Sequence, residues 1–381
     1  MPKALYVHVP FCEQICHYCD FNKFFLKNQP IDDYLECCKN EMKNTLEKFP
    51  QEINISSIYV GGGTPTSLST KQLYTLLEDI RTNFSIDDQC EWTVEVNPGS
   101  VSREKLQMMK EVGVNRLSIG VQTFDEDLLK TIGRDHRPED IPNTIRLCRE
   151  VGFENISIDL MFGLPGQTID QLKHSIKQLI QLKVEHVSAY SLKVEPKTVF
   201  YQRWQRGNLH LPGEDREADM YRVLQEELTN AGFEQYEISN FAKPGTQSTH
   251  NLTYWENEEY YGIGAGAHSY VQKVRRINHG PLPKYMNSMK DIGFPYLEEH
   301  EVSMEERMEE EMFMGLRKLT GVSRTSFYEK YDITMDHIFG DVIDGLKEKG
   351  LLQEKGDRVC LTKKGLLLGN EVFEKFLLAT D

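Results

Sequence analysis

The chain has 381 residues, with 44 Lys+Arg against 59 Asp+Glu and a formal charge of −15. Apolar residues at 39% and charged residues at 27% describe a chain with a real core, not a disordered one, and its length suggests about two domains. The acidic balance speaks against nucleic acid as a partner, because phosphate binding needs clustered positive charge, and no apolar run approaches the roughly 20 residues of a membrane span.

The N-terminal MPKALYVHVP lacks the apolar stretch and small-residue cleavage site of a secretory signal, so a cytoplasmic protein with reduced thiols is expected. A first strand at Ala4–Val9 leads into Cys12-x3-Cys16-x2-Cys19, three of eight cysteines within one short loop. The other five, at Cys37, Cys38, Cys90, Cys148 and Cys360, read as ordinary thiols; neighbours such as Cys37 and Cys38 point in different directions on a helix. Further strands are expected at Ile55–Val60, Trp92–Val96, Arg116–Gly120, Ile156–Leu160 and His186–Tyr190. Between them, Ser69 and Gln72 form a capping box ahead of Leu73, Leu76 and Leu77. Helices near 102–112 and 138–151 run into Gly113 and Gly152, suited to a left-handed stop. A helix from about Asp170 to Leu182 places Leu172, Ile176 and Leu179 on one face. Six βα units imply a parallel sheet, doubly wound or curled toward a barrel, and right-handed crossovers put all strand C-termini on one rim.

The unusual residues fall on that rim. The cysteine run follows strand one, Gly61-Gly62-Gly63-Thr64-Pro65-Thr66 follows strand two, and Glu95-Val96-Asn97-Pro98 ends strand three. Gly120-Val121-Gln122 ends strand four, and Asp159 precedes Gly163-Leu164-Pro165-Gly166 after strand five. Residues 200–300 are mixed, holding His250-Asn251-Leu252-Thr253-Tyr254-Trp255 and Gly262-Ile263-Gly264-Ala265-Gly266-Ala267-His268. From Met304 the pattern is three helices, a hairpin about Gly356-Asp357 and a last helix, as in a winged-helix module. With 12 Lys+Arg against 17 Asp+Glu over 301–381, that module suits packing or a partner better than DNA.

Three thiolates spaced four and three apart can ligate one iron–sulfur cube, which normally takes four ligands. Phe21 stands where a fourth nearby cysteine would be, so one iron is left open. Zinc is the alternative, completed by His17 or Asp20, but a structural zinc site wants four closed ligands.

Together these motifs resemble the radical S-adenosylmethionine (SAM) superfamily, and within it the coproporphyrinogen III oxidase-like branch, over nearly the whole chain. The resemblance is carried by Tyr6-Val7-His8-Val9-Pro10-Phe11-Cys12, Gly61–Thr66, Glu95–Pro98, Arg116–Gln122 and Asp159–Gly166, in the family's order and spacing. It implies a partial (β/α)6 barrel of radical SAM type over 1–235, a connecting region over 236–300 and a small C-terminal winged-helix-like domain over 301–381. Cys12, Cys16 and Cys19 would hold a [4Fe-4S] cluster. SAM would be bound by Tyr6, Gly62, Gly63, Thr64, Glu95, Gln122, Arg134 and Asp159, with backbone at the glycines and a forked contact from Arg134.

Two functions compete in this branch. Oxidases of coproporphyrinogen III carry an N-terminal extension and a further cysteine two residues after the third; this chain has Phe21 there. The Cys16–Asn22 segment and His250-Asn251-Leu252-Thr253-Tyr254-Trp255 instead resemble HemW-type haem chaperones, whose HNxxYW motif is associated with haem and which deliver haem to respiratory haem proteins. His250 is then a haem-iron ligand by type, with Tyr254 and Trp255 offering flat surfaces for the macrocycle; His8 and His268 are further candidates. A lone histidine beside aromatics is also an ordinary structural residue. No Cys-x-x-Cys-His occurs for covalent haem attachment. A homodimer and a peripheral membrane contact stay open.

Overall fold

Period-two alternation builds the main sheet. In β1 (Ala4–Val9), Leu5, Val7 and Val9 are fully buried on one face, while Tyr6 and His8 occupy the other. The same alternation runs through β4 (Ile55–Gly62), β5 (Ile86–Val96), β6 (Arg116–Gln122), β7 (Asn155–Phe162) and β8 (His186–Ser191); the strands between β1 and β4 are the short parallel pair β2 (Phe11–Cys12) and β3 (Phe24–Phe25). The apolar face joins the core formed with α1 (Ile31–Lys48), α2 (Thr70–Asn83), α3 (Arg103–Val112), α5 (Asp140–Val151) and α6 (Ile169–Gln181). Helix α4 (Glu126–Ile132) belongs to a smaller cluster with Leu164, Leu192 and Phe200. The opposite face, with Tyr59, Glu95, Arg116, Ser118, Asp159 and His186, is therefore a polar interior.

The computed structural model describes residues 1–378. Its strands follow the order β1-β4-β5-β6-β7-β8, each parallel to its neighbour. A doubly wound sheet reverses direction from its first strand; here the order never reverses, which is the winding of a barrel. The six expected strands all form, and Ser69–Gln72 makes the capping box of α2. Gly113 and Gly152 end α3 and α5 at positive φ.

After α7 (Val199–Gln205) and α8 (Glu214–Asn230), the short strands β9 (Glu234–Gln235) and β10 (Asn240–Ala242) extend the β8 edge. Helix α9 (Thr249–Trp255) follows, and then β11 (Tyr260–Ile263), which pairs in parallel with β1. β12 (His268–Val271), β13 (Val274–Asn278) and, after α10 (Leu282–Ile292), β14 (Tyr296–Glu301) continue that edge as antiparallel strands. Much of 236–300 is thus sheet continuous with the barrel. The two ends, β14 and β9, do not meet, so the barrel is partial.

The C-terminal unit has its own core, with Met312, Phe327, Phe339, Ile343, Val359 and Phe376 in contact. Helices α11 (Met304–Gly315), α12 (Arg324–Tyr331) and α13 (Met335–Glu348) precede a hairpin of β16 (Leu352–Lys355) and β17 (Arg358–Leu361), to which β15 (Val322–Ser323) adds. This is the helix–helix–helix–hairpin order of a winged-helix module. Among the described residues no helix is long and apolar enough to cross a membrane.

Candidate functional site

At the C-terminal rim, side chains from four loops close a ring of contacts. Thr64 Oγ1, at the end of the glycine run, reaches Cys12 Sγ at 3.8 Å. Asn97 Nδ2 donates to Thr64 Oγ1 (3.0 Å), and Asn97 Oδ1 accepts from Arg134 Nη2 (2.9 Å). Arg134 Nη1 donates to Cys16 Sγ (3.5 Å) and Nη2 also to the Gly120 carbonyl, while its buried Nε has no partner. The forked group expected to face a carboxylate therefore faces the cysteine loop. Asn97 is the residue the expected ligand set lacks. It lies two positions after Glu95 and so shares its face, which is the signal that would have included it.

The donor set suits a cationic metal group. Burial, and then the neighbouring thiols, raise Cys12 to about 11, with only Thr64 and Arg134 opposing, and burial raises Cys19 as well. Such thiols lose their protons when a cation takes their place. His17 Nδ1 donates to the Thr131 carbonyl at 2.9 Å and its ring packs on Gly133 and Phe200. Asp20 is exposed to solvent. No three His, Cys, Asp or Glu side chains among the described residues converge on a single ion.

The glycine run is shaped by what it touches. A Cβ on Gly63 would lie 2.8 Å from the Phe11 backbone and the Val9 carbonyl, and one on Gly61 2.7 Å from the Glu95 carboxyl. Gly62 adopts φ +110 with its Cα against the His8 ring. Backbone hydrogen bonds from Gly63 N to Val9 O and Thr64 N to Phe11 O, both 2.8 Å, bind the run to the cysteine strand. Gln122 turns into the site through an irregularity: β6 shifts register between Gly120 and Gln122, and Gln122 takes φ +66. Its Nε2 would be 3.1 Å from a Cβ on Gly120, the position that Arg134 and Asn97 also crowd.

One layer below lie two carboxyls. Glu95 accepts from Tyr59 OH (2.8 Å) and Gly62 N (3.0 Å), and burial followed by the charge of Asp159 pushes it up to about 7. Asp159 accepts from Ser118 Oγ (3.1 Å) and is raised to about 6, chiefly by burial. Tyr6 stands beside them. Its hydroxyl donates to His8 Nδ1 (2.8 Å) and its ring stacks on Tyr59. His8 Nε2 donates to the Asn22 carbonyl (2.8 Å), and burial holds His8 down to about 4. Asn22 Nδ2 in turn donates to the Ala265 (2.8 Å) and Gly280 (2.9 Å) carbonyls. The Gly262–His268 run is thereby the backing of the cysteine loop.

The HNxxYW segment is elsewhere. It forms α9, packed on the opposite, N-terminal end of the barrel. Glu91 caps it, accepting from Ser248 Oγ, Thr249 N and His250 N, each at 3.0 Å. His250 is 1% exposed and both its ring nitrogens have partners, Nδ1 with Ser57 Oγ (3.1 Å) and Nε2 with Tyr254 OH (2.9 Å). Burial, and then the nearby Arg116, hold it down to about 3. Tyr254 meets Tyr260 edge-on, and the Trp255 ring lies 4.4 Å beneath the Arg317 guanidinium of the C-terminal unit. His268 is exposed at the start of β12.

Comparison with known proteins agrees with this architecture. The radical SAM superfamily profile matches residues 6–179 and the HemN C-terminal domain profile residues 302–368. The heme chaperone HemW of Bacillus subtilis is 53% identical over 98% of this chain and 99% of its own length. HemW of Lactococcus lactis is 43% identical (99% and 98%) and that of Escherichia coli 35% (99% and 98%). In three dimensions the chain resembles coproporphyrinogen III oxidase (HemN) of Escherichia coli, with a TM-score of 0.87 over 99% of this chain and 90% of that one at 24% identity, a likeness of fold.

Proposed function

Because the chain belongs to the HemW family of the radical SAM superfamily, we propose that it is a haem chaperone. In this reading it binds haem and a SAM-ligated [4Fe-4S] cluster in the cytoplasm and passes haem to respiratory haem proteins. The observation that carries the reading is full-length similarity, at up to 53% among these relatives, to proteins named heme chaperone HemW.

Cys12, Cys16 and Cys19 would hold the cluster, which when bound supplies an open iron for the amino and carboxylate groups of SAM. The chain's own residues then have separable roles. Arg134, held by Asn97 and the Gly120 carbonyl, keeps a positive charge beside the cysteine loop. The Gly62–Thr64 backbone permits close approach of a ligand. Glu95 and Asp159 turn carboxyls toward a cationic ligand, and such a ligand would favour their ionised forms against burial.

The test is anaerobic reconstitution followed by parallel haem-binding and SAM-cleavage assays. One haem per chain, transferable to an apo-cytochrome, is expected. Robust conversion of coproporphyrinogen III without stable haem binding would replace this reading with the dehydrogenase one.

A further inference from the structure

The His250 side chain of α9 meets the rim site through the barrel interior. His250 stacks on Tyr59, with ring centroids 5.3 Å apart and planes 28° from parallel. Tyr59 OH donates to Glu95 Oε1 at 2.8 Å, and Glu95 Oε2 accepts the Gly62 amide at 3.0 Å. A continuous path thus runs from the helix at the barrel floor to the glycine run at its rim. At its lower end the His250 ring, carried by α9, is fixed by the hydroxyls of Ser57 in β4 and of Tyr254 one turn along the same helix. For this imidazole to bind iron, one hydroxyl would have to be displaced and a 1% exposed ring uncovered.

We propose that His250 is a positioning residue for the rim pocket, acting through Tyr59 on Glu95, and not the axial ligand of haem iron. The inference rests on the reading of that pocket as the SAM site. Tyr59 is held between two flat rings, Tyr6 on one side and His250 on the other. Removing the His250 ring takes away the nearer of the two; Tyr59 then presents its hydroxyl to Glu95 less well, and the carboxyl that also holds Gly62 loses one of its two fixed partners. The HNxxYW segment would in this way govern the rim from about the full depth of the barrel without touching its ligand.

The experiment uses the full chain, cluster-reconstituted, with His250→Ala, Tyr59→Phe and the double variant. SAM affinity is measured by equilibrium dialysis, haem by its Soret band and the axial-ligand signature in electron paramagnetic resonance, and folding by thermal midpoint. Tyr59→Phe keeps the stacked ring and removes one hydrogen bond to a carboxylate, so SAM should bind about tenfold more weakly. His250→Ala should weaken it by a similar factor with the haem signature unchanged, and the double variant should be no weaker than Tyr59→Phe alone. Multiplying losses in the double variant, or a lost haem signature with SAM affinity intact in His250→Ala, would overturn the proposal. Wild-type affinity in both single variants would overturn it alone. A wild-type protein with no SAM affinity would overturn the reading of the rim and the relay together. A lowered thermal midpoint in His250→Ala with SAM and haem affinities falling together would also overturn it, as a general structural defect.

Discussion

Glu41 offers a test of how the cysteine loop is supported. The carboxyl is 1% exposed and accepts three hydrogen bonds: from Gly264 N (2.8 Å), Asn278 Nδ2 (2.6 Å) and Tyr285 OH (2.6 Å). Burial nonetheless pushes its pKa from 4.5 to about 7. The folded protein then keeps a proton that the unfolded chain has released. The associated stability is complete below pH about 4.5 and is lost as pH rises through about 7, a span worth about 3 kcal/mol. Glu41→Gln holds this position neutral at every pH but turns a donor toward the Gly264 amide or Asn278, at a cost of about 1–3 kcal/mol. The variant should therefore be the less stable protein at pH 4.5, and the gap should shrink by about 3 kcal/mol, or reverse, by pH 8. Glu95 and Asp159, also raised, titrate in both proteins and cancel in the difference. Urea midpoints by circular dichroism across this range provide the measurement, compared as midpoints because a chain with two cores need not unfold in one step. A difference between the two proteins that stays constant with pH, or widens as pH rises, would refute the reasoning.

Cys16→Ala should lose most iron and acid-labile sulfide, whereas Cys37→Ala and Cys90→Ala should keep both, as measured by metal and sulfide analysis on reconstituted protein. Asn22→Ala removes two hydrogen bonds that tie the cysteine loop to Ala265 and Gly280; the visible absorbance of its cluster should bleach severalfold faster in air than that of the wild type. Asn97→Leu keeps the bulk but frees both Thr64 and Arg134; calorimetry should show SAM binding weakened about tenfold, the scale of one charge-assisted hydrogen bond, with iron content retained.

Much of this architecture is written locally. Alternation of Leu5, Val7 and Val9 with Tyr6 and His8 is visible without a fold because side chains on a strand repeat every two residues, and the same holds for the helix ends at Gly113 and Gly152. The cysteine spacing and the strand-end position of Glu95 and Asp159 are equally short-range, so the rim's principal residues could be named from the chain order of strands and helices. Strand periodicity left the sheet doubly wound or barrel-like, since that depends on which strands pair; the radical SAM resemblance implied the barrel, and the unreversed order from β1 to β8 shows it.

What the sequence by itself determined was the set of chemical groups and the end of the barrel to which most of them belong. Only the tertiary structure decided which of those groups already have partners. Arg134 could be expected near an anion, but its bonds to Asn97 and Cys16 join residues 37 and 118 positions apart. His250 next to Tyr254 and Trp255 reads in sequence either as a haem ligand or as a structural histidine, and it is Ser57, 193 positions away, that takes its Nδ1. Spacing along a chain reports what lies within a turn or a pleat; the occupancy of a lone pair is settled by whatever the fold brings against it, and burial makes leaving one unpaired costly.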